Sequence, residues 1–260
     1  MGVQKQEKIA VLMACHDRAA TTLACLDRLD AALRREPGLY AKVYLVDDGS
    51  SDGTGALVRS RFPDARVIDA DGALYWAKGM RLAWETALAE GAGWDAYLWL
   101  NDDAMLFPEA ASRLLGACRA SSGAAVVVGD LRGADGAKTY GLAEDGLFTG
   151  NVVLVPEAVR RRVGMIDGGF SHGWADLDYA QRTRRAGVAA VSAGFLGTCE
   201  SHPLRPHVAG RSLAERRRLL ADPKGWALRD VWRYRRRHFG PVRAALSCAH
   251  VALHVLFAKE

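Results

Sequence analysis

The sequence predicts an α/β protein built on a doubly wound, mostly parallel sheet with helices on both faces. Through the first half of the chain, short apolar strands alternate with helices of about ten to fifteen residues. The strand Ala96–Leu100 is a continuous apolar run, which is typical of a strand that is covered on both faces. The 260 residues, half of them apolar, are enough for one large α/β domain.

Each predicted strand of this first half is an apolar or β-branched run that ends at polar or turn-forming residues. The predicted strands are residues 8–15, 43–46, 66–68, 96–100 and 124–128. The helices that connect them show apolar residues at helical spacing, over residues 19–35, 55–61, 80–90 and 110–120. Before the second helix, Ser51, Asp52 or Thr54 is the expected N-terminal cap.

The second half is less regular. We expect strands at residues 151–155 and 188–192, and a helix over 156–163 that begins with a proline. A further helix over 175–186 is followed by Gly187, a residue that commonly ends helices. Residues 1–205 therefore form one predicted domain, and residues 206–260 form a helical extension behind it.

The positive charge of this chain is concentrated near its C-terminus. The net charge is +5, yet residues 211–243 alone contain eleven Lys and Arg against three Asp and Glu. The preceding domain is slightly acidic, so the sequence does not indicate nucleic-acid binding. Five scattered cysteines without a CxxC pair, and no evident N-terminal signal, predict reduced thiols in a cytoplasmic protein.

The C-terminal extension is basic and amphipathic. Residues 226–260 combine Trp226, Trp232 and several arginines with an apolar stretch over 244–258, shorter than the roughly 20 residues that a membrane span requires. This pattern suits a helix on the surface of an anionic membrane. The alternative is a helical pair that packs on the domain or forms a homodimer interface.

The usual nucleotide-binding loops are missing. A dinucleotide enzyme of this fold needs a glycine-rich turn after its first strand, and here that strand ends in Ala14-Cys15-His16-Asp17-Arg18. No GxxxxGK[ST] sequence occurs either. A diphosphate would therefore need another partner, for which a carboxylate-bound metal ion is the usual substitute.

Acidic residues follow two of the predicted strands. Asp102 and Asp103 come directly after Ala96–Leu100, and two adjacent carboxylates repel each other unless a divalent cation neutralises them. Asp48 follows the second strand, where a carboxylate can accept hydrogen bonds from a base or ribose. The structural alternatives are a helix cap or Asx-turn for the pair and an ordinary turn for Asp48.

Two further segments carry candidate functional residues. Asp176 lies at the start of a predicted helix, whose N-terminus favours an ionised carboxylate, and Asp178 has Arg182 as its i+4 partner. The alternative is a capped amphipathic helix with a surface ion pair. Lys78 and Arg81 are candidates for diphosphate contacts, the alternative being a solvated helix start with two aromatic residues packed inward.

Three motifs together resemble family 2 glycosyltransferases of the GT-A fold, a Rossmann-like α/β architecture. They are Val46-Asp47-Asp48-Gly49-Ser50, Leu98-Trp99-Leu100-Asn101-Asp102-Asp103 and Trp174-Ala175-Asp176-Leu177-Asp178-Tyr179, followed by Arg182, Gly187 and His202. The resemblance covers about residues 8–205. It is strongest to the bacterial rhamnosyl- and galactofuranosyl-transferase branch.

The resemblance implies a donor site and a metal site. Asp48 would bind the nucleobase, with Ala14 and His16 beside it. Asp103 would ligate Mn²⁺ or Mg²⁺, Asp102 would lie nearer the ribose or sugar, and His202 would be an additional metal ligand. Asn101 departs from the family pattern by replacing the first acid of a strict DXD motif.

The same resemblance implies that Asp176 is the catalytic base, with Trp174, Asp178 and Arg182 supporting the acceptor side. Ala175 replaces an acid that commonly precedes this base. The implied activity is metal-dependent, inverting transfer of a sugar from a UDP-, dTDP- or GDP-linked donor to a glycan or lipid-linked acceptor. Bacterial cell-surface polysaccharide biosynthesis is the implied setting. A non-catalytic nucleotide-sugar-binding or membrane-scaffold protein and a sugar nucleotidyltransferase remain the alternatives.

Overall fold

The computed structural model describes residues 6–133, 135–200 and 207–257. Over these residues the chain forms nine strands and nine helices. The strands are β1 (Glu7–Cys15), β2 (Leu39–Asp47), β3 (Arg66–Asp69), β4 (Ala96–Leu100), β5 (Met105–Leu106), β6 (Val126–Arg132), β7 (Lys138–Tyr140), β8 (Val152–Pro156) and β9 (Ala190–Thr198). The helices are α1 (Ala19–Leu33), α2 (Thr54–Arg61), α3 (Tyr75–Ala89), α4 (Ala110–Ala120), α5 (Glu157–Val163), α6 (Ala175–Arg185), α7 (Leu213–Leu219), α8 (Leu228–Phe239) and α9 (Pro241–Phe257).

The strands form one mixed sheet in the order β3-β2-β1-β4-β8-β6-β9-β5, with β7 paired to β6. The first four strands of this order are parallel, as predicted for a doubly wound sheet. The chain builds outward from β1 to β3 and then returns to place β4 on the other side of β1. In such sheets the crevice beyond the carboxyl ends of the two strands at the reversal is where ligands bind. The topology therefore places the site beyond β1 and β4.

Strand β8 runs antiparallel to both of its neighbours, β4 and β6. The sequence predicted a strand there but not its direction, because the irregular segment before it does not fix how the chain returns. Strands β5 and β7 were not predicted. They are two and three residues long and depend on pairing with β9 and β6, respectively. The reversed direction of β8 brings its first residues to the same edge as the carboxyl end of β4.

The sheet is buried on both faces. Alternate residues of β1 point to opposite sides, so that Leu12 joins one apolar cluster and Val11 the other, and Trp99 and Leu98 of β4 divide in the same way. Helices α3 and α6 cover the first face with residues such as Trp84 and Tyr179, whereas α1 and α4 cover the second.

Side chains from outside the helices satisfy several helix N-termini near the crevice. Asp52 accepts hydrogen bonds from the backbone N–H groups of Ala19 and Thr54, and so links the starts of α1 and α2. Helix α3 begins at Tyr75, five residues before the predicted start. The carboxylate of Asp48 accepts the N–H groups of Leu74 and Tyr75 and supplies a cap that local periodicity does not show.

Helix α8, in the C-terminal extension, packs against α6. The ring centroids of Trp174, which precedes α6, and Tyr234 on α8 lie 4.8 Å apart. Arg237 of α8 pairs with the fully buried carboxylate of Asp178 and also with Asp167. Helix α8 of the extension therefore packs on the domain, as one of the two sequence interpretations expected. Among the helices described, none is long and apolar enough to cross a membrane.

Candidate functional site

The carboxyl ends of β1 and β4 open into a cavity of about 680 Å³, a size typical of small-molecule sites. The segments that line it come from distant parts of the chain. The lining residues are Ala14, Cys15, His16, Arg18, Asp48, Gly72, Tyr75, Trp76, Asn101, Asp102, Asp103, Tyr140, Gly150, Asn151, His172, Gly173, Asp176, Asp222 and Lys224.

Arg18 pairs with both acids of the strand-end motif. Its guanidinium lies 3.0 Å from Oδ1 of Asp102 and 3.3 Å from Oδ2 of Asp103. The hydroxyl of Thr22 is 3.5 Å from the second oxygen of Asp102. Both oxygens of Asp102 therefore have partners at or just before the start of α1. Burial raises the pKa of Asp102 to about 6 against the opposing effect of Arg18.

Asp103 keeps one oxygen without a partner. Its Oδ1 is buried and accepts no hydrogen bond from the described part of the chain, an unusual state for a buried carboxylate. Such an oxygen fits a hard divalent cation. No group of three His, Cys, Asp or Glu side chains within the described residues is arranged to hold a metal. A cation at Asp103 would therefore need water or ligand oxygens, as Mg²⁺ commonly does. His202, the other predicted ligand, lies outside the described residues.

Asp48 lines the cavity, but backbone groups already occupy its carboxylate. It accepts N–H groups from Gly72, Leu74 and Tyr75 at 2.7–3.1 Å. His16 lies beside it, with Nδ1 2.7 Å from the carbonyl oxygen of Asp48. A carbonyl only accepts, so Nδ1 carries the proton in this contact. Asp48 thus shapes the wall of the predicted nucleobase site, together with His16 and Ala14.

The predicted diphosphate contacts on α3 lie elsewhere. Arg81 donates to Glu85 on the same helix and to the carbonyl oxygen of Ile166, away from the cavity. Lys78 is half-buried on α3 and is not part of the cavity lining. Because α3 starts at Tyr75, Trp76 rather than Lys78 or Arg81 faces the crevice.

Asp176 lies at the start of α6 and opens into the same cavity as Asp103. Its two oxygens accept the N–H groups of Leu177 and Gly150 at 2.8 and 3.1 Å. Burial raises the pKa of this carboxyl despite those hydrogen bonds. The surroundings therefore fix its orientation and increase its affinity for a proton.

The remaining predicted residues of this segment hold helices together. Asp178 is fully buried and accepts from Arg182, as the i+4 spacing predicted, and also from Arg237 and His238. Arg182 also donates to the carbonyl oxygens of Val163 and Met165. The ring of Trp174 packs at a tilt against that of Tyr234. These contacts fix the position of α6, and hence that of Asp176.

The sequence also matches a known protein family. The sequence profile described as "Glycosyl transferase family 2" matches residues 10–162, more than half of the chain. The chain belongs to glycosyl transferase family 2. No curated protein matches it in a whole-sequence search.

Solved structures of GT-A glycosyltransferases share the fold of this family member. One is the mannosyltransferase PcManGT from Pyrobaculum calidifontis, in complex with GDP-Man and Mn²⁺, with 18% identity and a TM-score of 0.60 over 96% of this chain and 70% of that one. Another is glucosyl-3-phosphoglycerate synthase from Mycobacterium tuberculosis with Mn²⁺, UDP-Glc and phosphoglyceric acid, at 16% identity and a TM-score of 0.52, over 76% and 73%. A third is S. aureus TarS, at 12% identity and a TM-score of 0.57, over 76% and 37%.

Several residues that line the cavity of this glycosyltransferase were not predicted from the sequence. Arg18 lies only four residues beyond Ala14, and its place after β1 was the available signal. Gly150 and Asn151 reach the cavity because β8 is antiparallel, which no local pattern shows. Asp222 and Lys224 come from the C-terminal extension, which was not predicted to contribute to the site.

Backbone strain also concentrates at the cavity of this glycosyltransferase. Four non-glycine residues in the described ranges have a positive φ, and three of them lie near the cavity. Tyr75 is the first residue of α3, Trp174 immediately precedes α6, and Asp17 lies in the loop that follows β1. A left-handed conformation costs a side-chain-bearing residue of order 1–3 kcal/mol, and the surrounding packing must over-determine it. The site is therefore held in shape by contacts that extend beyond its lining.

Proposed function

We propose that this family member transfers a sugar from a nucleoside-diphosphate donor to a hydroxyl acceptor, with Mn²⁺ or Mg²⁺ bound at Asp103. The observation that carries the proposal is the unpartnered Oδ1 of Asp103 in the same cavity as the proton-attracting carboxylate of Asp176. The metal complexes of the neighbouring structures support it. When bound, the cation would supply a positive charge that stabilises the departing diphosphate.

In this proposal Asp176 acts as the general base. Each of its oxygens accepts one backbone N–H and keeps a lone pair for an acceptor hydroxyl. As that hydroxyl oxygen bonds to the anomeric carbon, its proton passes to Asp176, and the bond from the anomeric carbon to the diphosphate oxygen breaks. One such displacement inverts the anomeric configuration. General base catalysis of this kind typically contributes about 10²–10⁴-fold.

We further propose a glycan or lipid-linked acceptor in bacterial cell-surface polysaccharide biosynthesis. His172, Asp222 and Lys224 line the same cavity as Asp176 and provide groups for a polar acceptor. Helix α9 exposes Val242, Leu246, Leu253 and Phe257 beside a basic segment, a combination that suits peripheral attachment to an anionic membrane. Binding to anionic lipid vesicles tests this part of the proposal.

In the central test, the protein is incubated with candidate donors, Mn²⁺ and mixed glycan acceptors, and the nucleotide product is identified by mass spectrometry. We expect release of a nucleoside diphosphate, with turnover falling about 10²–10⁴-fold in Asp176→Asn. Asp64→Asn is the matched control, because it makes the same change at an exposed residue outside the cavity lining. Release of pyrophosphate would instead indicate a nucleotidyltransferase.

The pH profile gives a second, independent readout. Because burial raises the pKa of Asp176, the acidic limb of kcat/KM should lie above the ordinary carboxyl value of 3.8. The residual activity of Asp176→Asn should lack that limb. NMR of the product's anomeric proton tests inversion, and retention of configuration would contradict the single displacement. Nucleotide binding without any turnover would indicate a non-catalytic binding protein.

A further inference from the structure

The position at which this chain departs from the family's acidic motif has a fixed partner. Nε1 of Trp76 lies 2.8 Å from Oδ1 of Asn101. The indole N–H is a donor and cannot accept, so it must face the carbonyl oxygen of the amide. The amide of Asn101 therefore presents its oxygen, and not its NH₂ group, to Trp76.

Both partners of this hydrogen bond are held from several sides. The ring of Trp76 meets the ring of Trp99 edge-on, with centroids 6.3 Å apart. A Cβ atom at Gly150 would come within 2.5 Å of the Trp76 ring, so the backbone there lies directly against the indole. The backbone N–H of Asn101 donates to the carbonyl oxygen of Asn151 at 2.9 Å. The amide therefore has little freedom to turn over.

With its oxygen engaged by Trp76, Asn101 has its NH₂ group left for the cavity that it lines. An aspartate at this position would offer an acceptor and a third negative charge beside Asp102 and Asp103. The amide reverses the hydrogen-bonding polarity and adds no charge. Beside it, Arg18 pairs with the two acids and leaves further N–H groups for a ligand.

We propose that Asn101 is a specificity-determining hydrogen-bond donor to an oxygen of the donor's sugar-diphosphate portion, and that Trp76 is the positioning residue that fixes its orientation. This inference rests on the proposed function and refines its donor site. The recognised group is an oxygen acceptor. It is either a phosphate oxygen or a sugar oxygen, and the two sources are distinguished by the nucleotides used in the test.

The test measures binding by isothermal titration calorimetry in Mn²⁺ buffer. UDP, dTDP and GDP are titrated first. For the base whose diphosphate binds the wild type best, the nucleoside, the diphosphate and the glucose- or mannose-diphosphate are then compared. We expect Asn101→Ala to weaken binding about tenfold, the cost of one lost hydrogen bond to a charged or polar oxygen. Loss already seen with the diphosphate identifies a phosphate oxygen. Loss confined to the nucleotide sugar identifies a sugar oxygen.

Trp76→Phe keeps the aromatic ring and removes only the N–H. We expect it to weaken binding roughly threefold, and to have no further effect in the Asn101→Ala background, because the two residues act through one contact. Trp232→Phe on the exposed face of α8 is the matched control, and should bind as the wild type does. The melting temperature of each variant verifies that it is folded.

Three results would overturn the inference. Binding by Asn101→Ala within twofold of the wild type would remove the proposed donor, and strictly additive losses in the double variant would remove the role of Trp76. Equal loss with the nucleoside, which carries no phosphate, would place the contact outside the sugar diphosphate. Failure of the wild type to bind any of the three diphosphates would be a different result, since it would overturn the proposed function together with this inference.

Discussion

At the scale of single residues, the acids around the crevice have different roles although their sequence contexts are alike. Asp48 is bonded to three backbone amides, and Asp102 is tied to Arg18 and Thr22. Among the acids that line the cavity, Asp103 alone combines burial with an oxygen that has no partner in the described chain, whereas Asp230, which shares this property, lies outside the lining. Partners, rather than position after a strand, therefore separate the structural carboxylates from the one suited to a cation.

Asp102 and Asp103 make a matched pair for substitution. We expect Asp103→Asn to weaken Mn²⁺ binding in the presence of nucleotide at least tenfold, and also to lose the 3.3 Å contact with Arg18. Asp102→Asn should retain most Mn²⁺ binding and should not lower the melting temperature, because burial raises the pKa of Asp102 and its charge therefore does not stabilise the fold at neutral pH. Electron paramagnetic resonance of Mn²⁺ and thermal unfolding measure the two effects. The reverse assignment would show that Asp102 is the principal ligand.

Glu157 gives a prediction of pH dependence that is independent of the site. Hydrogen bonds from Arg160 and Arg161 lower its pKa from 4.5 to about 2. A lowered carboxyl pKa adds stability above the unfolded value and loses it as the pH falls toward the folded value. Glu157→Gln should therefore lower the free energy of unfolding by about 1–2 kcal/mol at pH 7, and the difference should shrink between pH 5 and pH 3. Urea titrations at these pH values measure it; a constant difference would contradict the ionic origin.

At the scale of elements, helix α8 supports the segment that carries Asp176. Asp230 of α8 accepts the backbone N–H of Ser171, in the segment that leads to α6. Tyr234 packs against Trp174, and Arg237 pairs with both Asp178 and Asp167. A helix whose sequence indicates a basic surface tail therefore positions the segment that carries Asp176.

Two adjacent arginines of α8 allow this role to be tested. Arg237 bridges two carboxylates, whereas the side chain of Arg236 is exposed and forms no ion pair or hydrogen bond within the described chain. Arg237→Gln should cost about 2–3 kcal/mol, because it leaves buried charge less compensated. Arg236→Gln should stay within about 0.5 kcal/mol of the wild type. Chemical denaturation measures both, and equal costs would contradict the proposed contribution of α8.

At the scale of the whole molecule, positive charge and exposed apolar surface are both concentrated in the C-terminal helices. The four large apolar side chains on the outer face of α9 are 60–71% exposed. Helix α7 packs against α9, where Arg216 donates to the carbonyl oxygen of Leu256, and it adds exposed arginines nearby. Trp226, a candidate membrane anchor from the sequence, instead packs near Leu219 and His254. The apolar face of α9 is therefore the better candidate for lipid contact.

Sedimentation with vesicles of phosphatidylglycerol and phosphatidylcholine tests this orientation. We expect binding that increases with the anionic lipid fraction and weakens with salt, since basic residues near the surface contribute about 1 kcal/mol each. Leu246→Glu together with Leu253→Glu should reduce binding at least tenfold. Leu57→Glu, an equally drastic change on exposed α2, is the control. Unchanged binding in the double variant, or a dimer that this variant dissociates, would contradict membrane attachment through α9.

The sequence by itself determined the α/β class, the parallel strands β1 to β4, and the family, because apolar runs and strand-end acids are local in the chain. It also placed Asp103 and Asp176 among the candidate residues, where both line one cavity. The assignment of Asp176 as base and of Asp103 as metal ligand stays a prediction. Local pattern was sufficient here because each motif directly follows or begins an element whose periodicity is strong.

Only the tertiary structure decided which partners those residues have. The antiparallel course of β8 brings Asn151 and Gly150 beside β4, and a contact across the fold directs the amide of Asn101 through Trp76. Two further contacts also join residues far apart in sequence. Asp48 accepts a hydrogen bond from the start of α3, and Arg237 of α8 pairs with Asp178 of α6. Such contacts depend on the direction and packing of whole elements, so no local periodicity or motif encodes them.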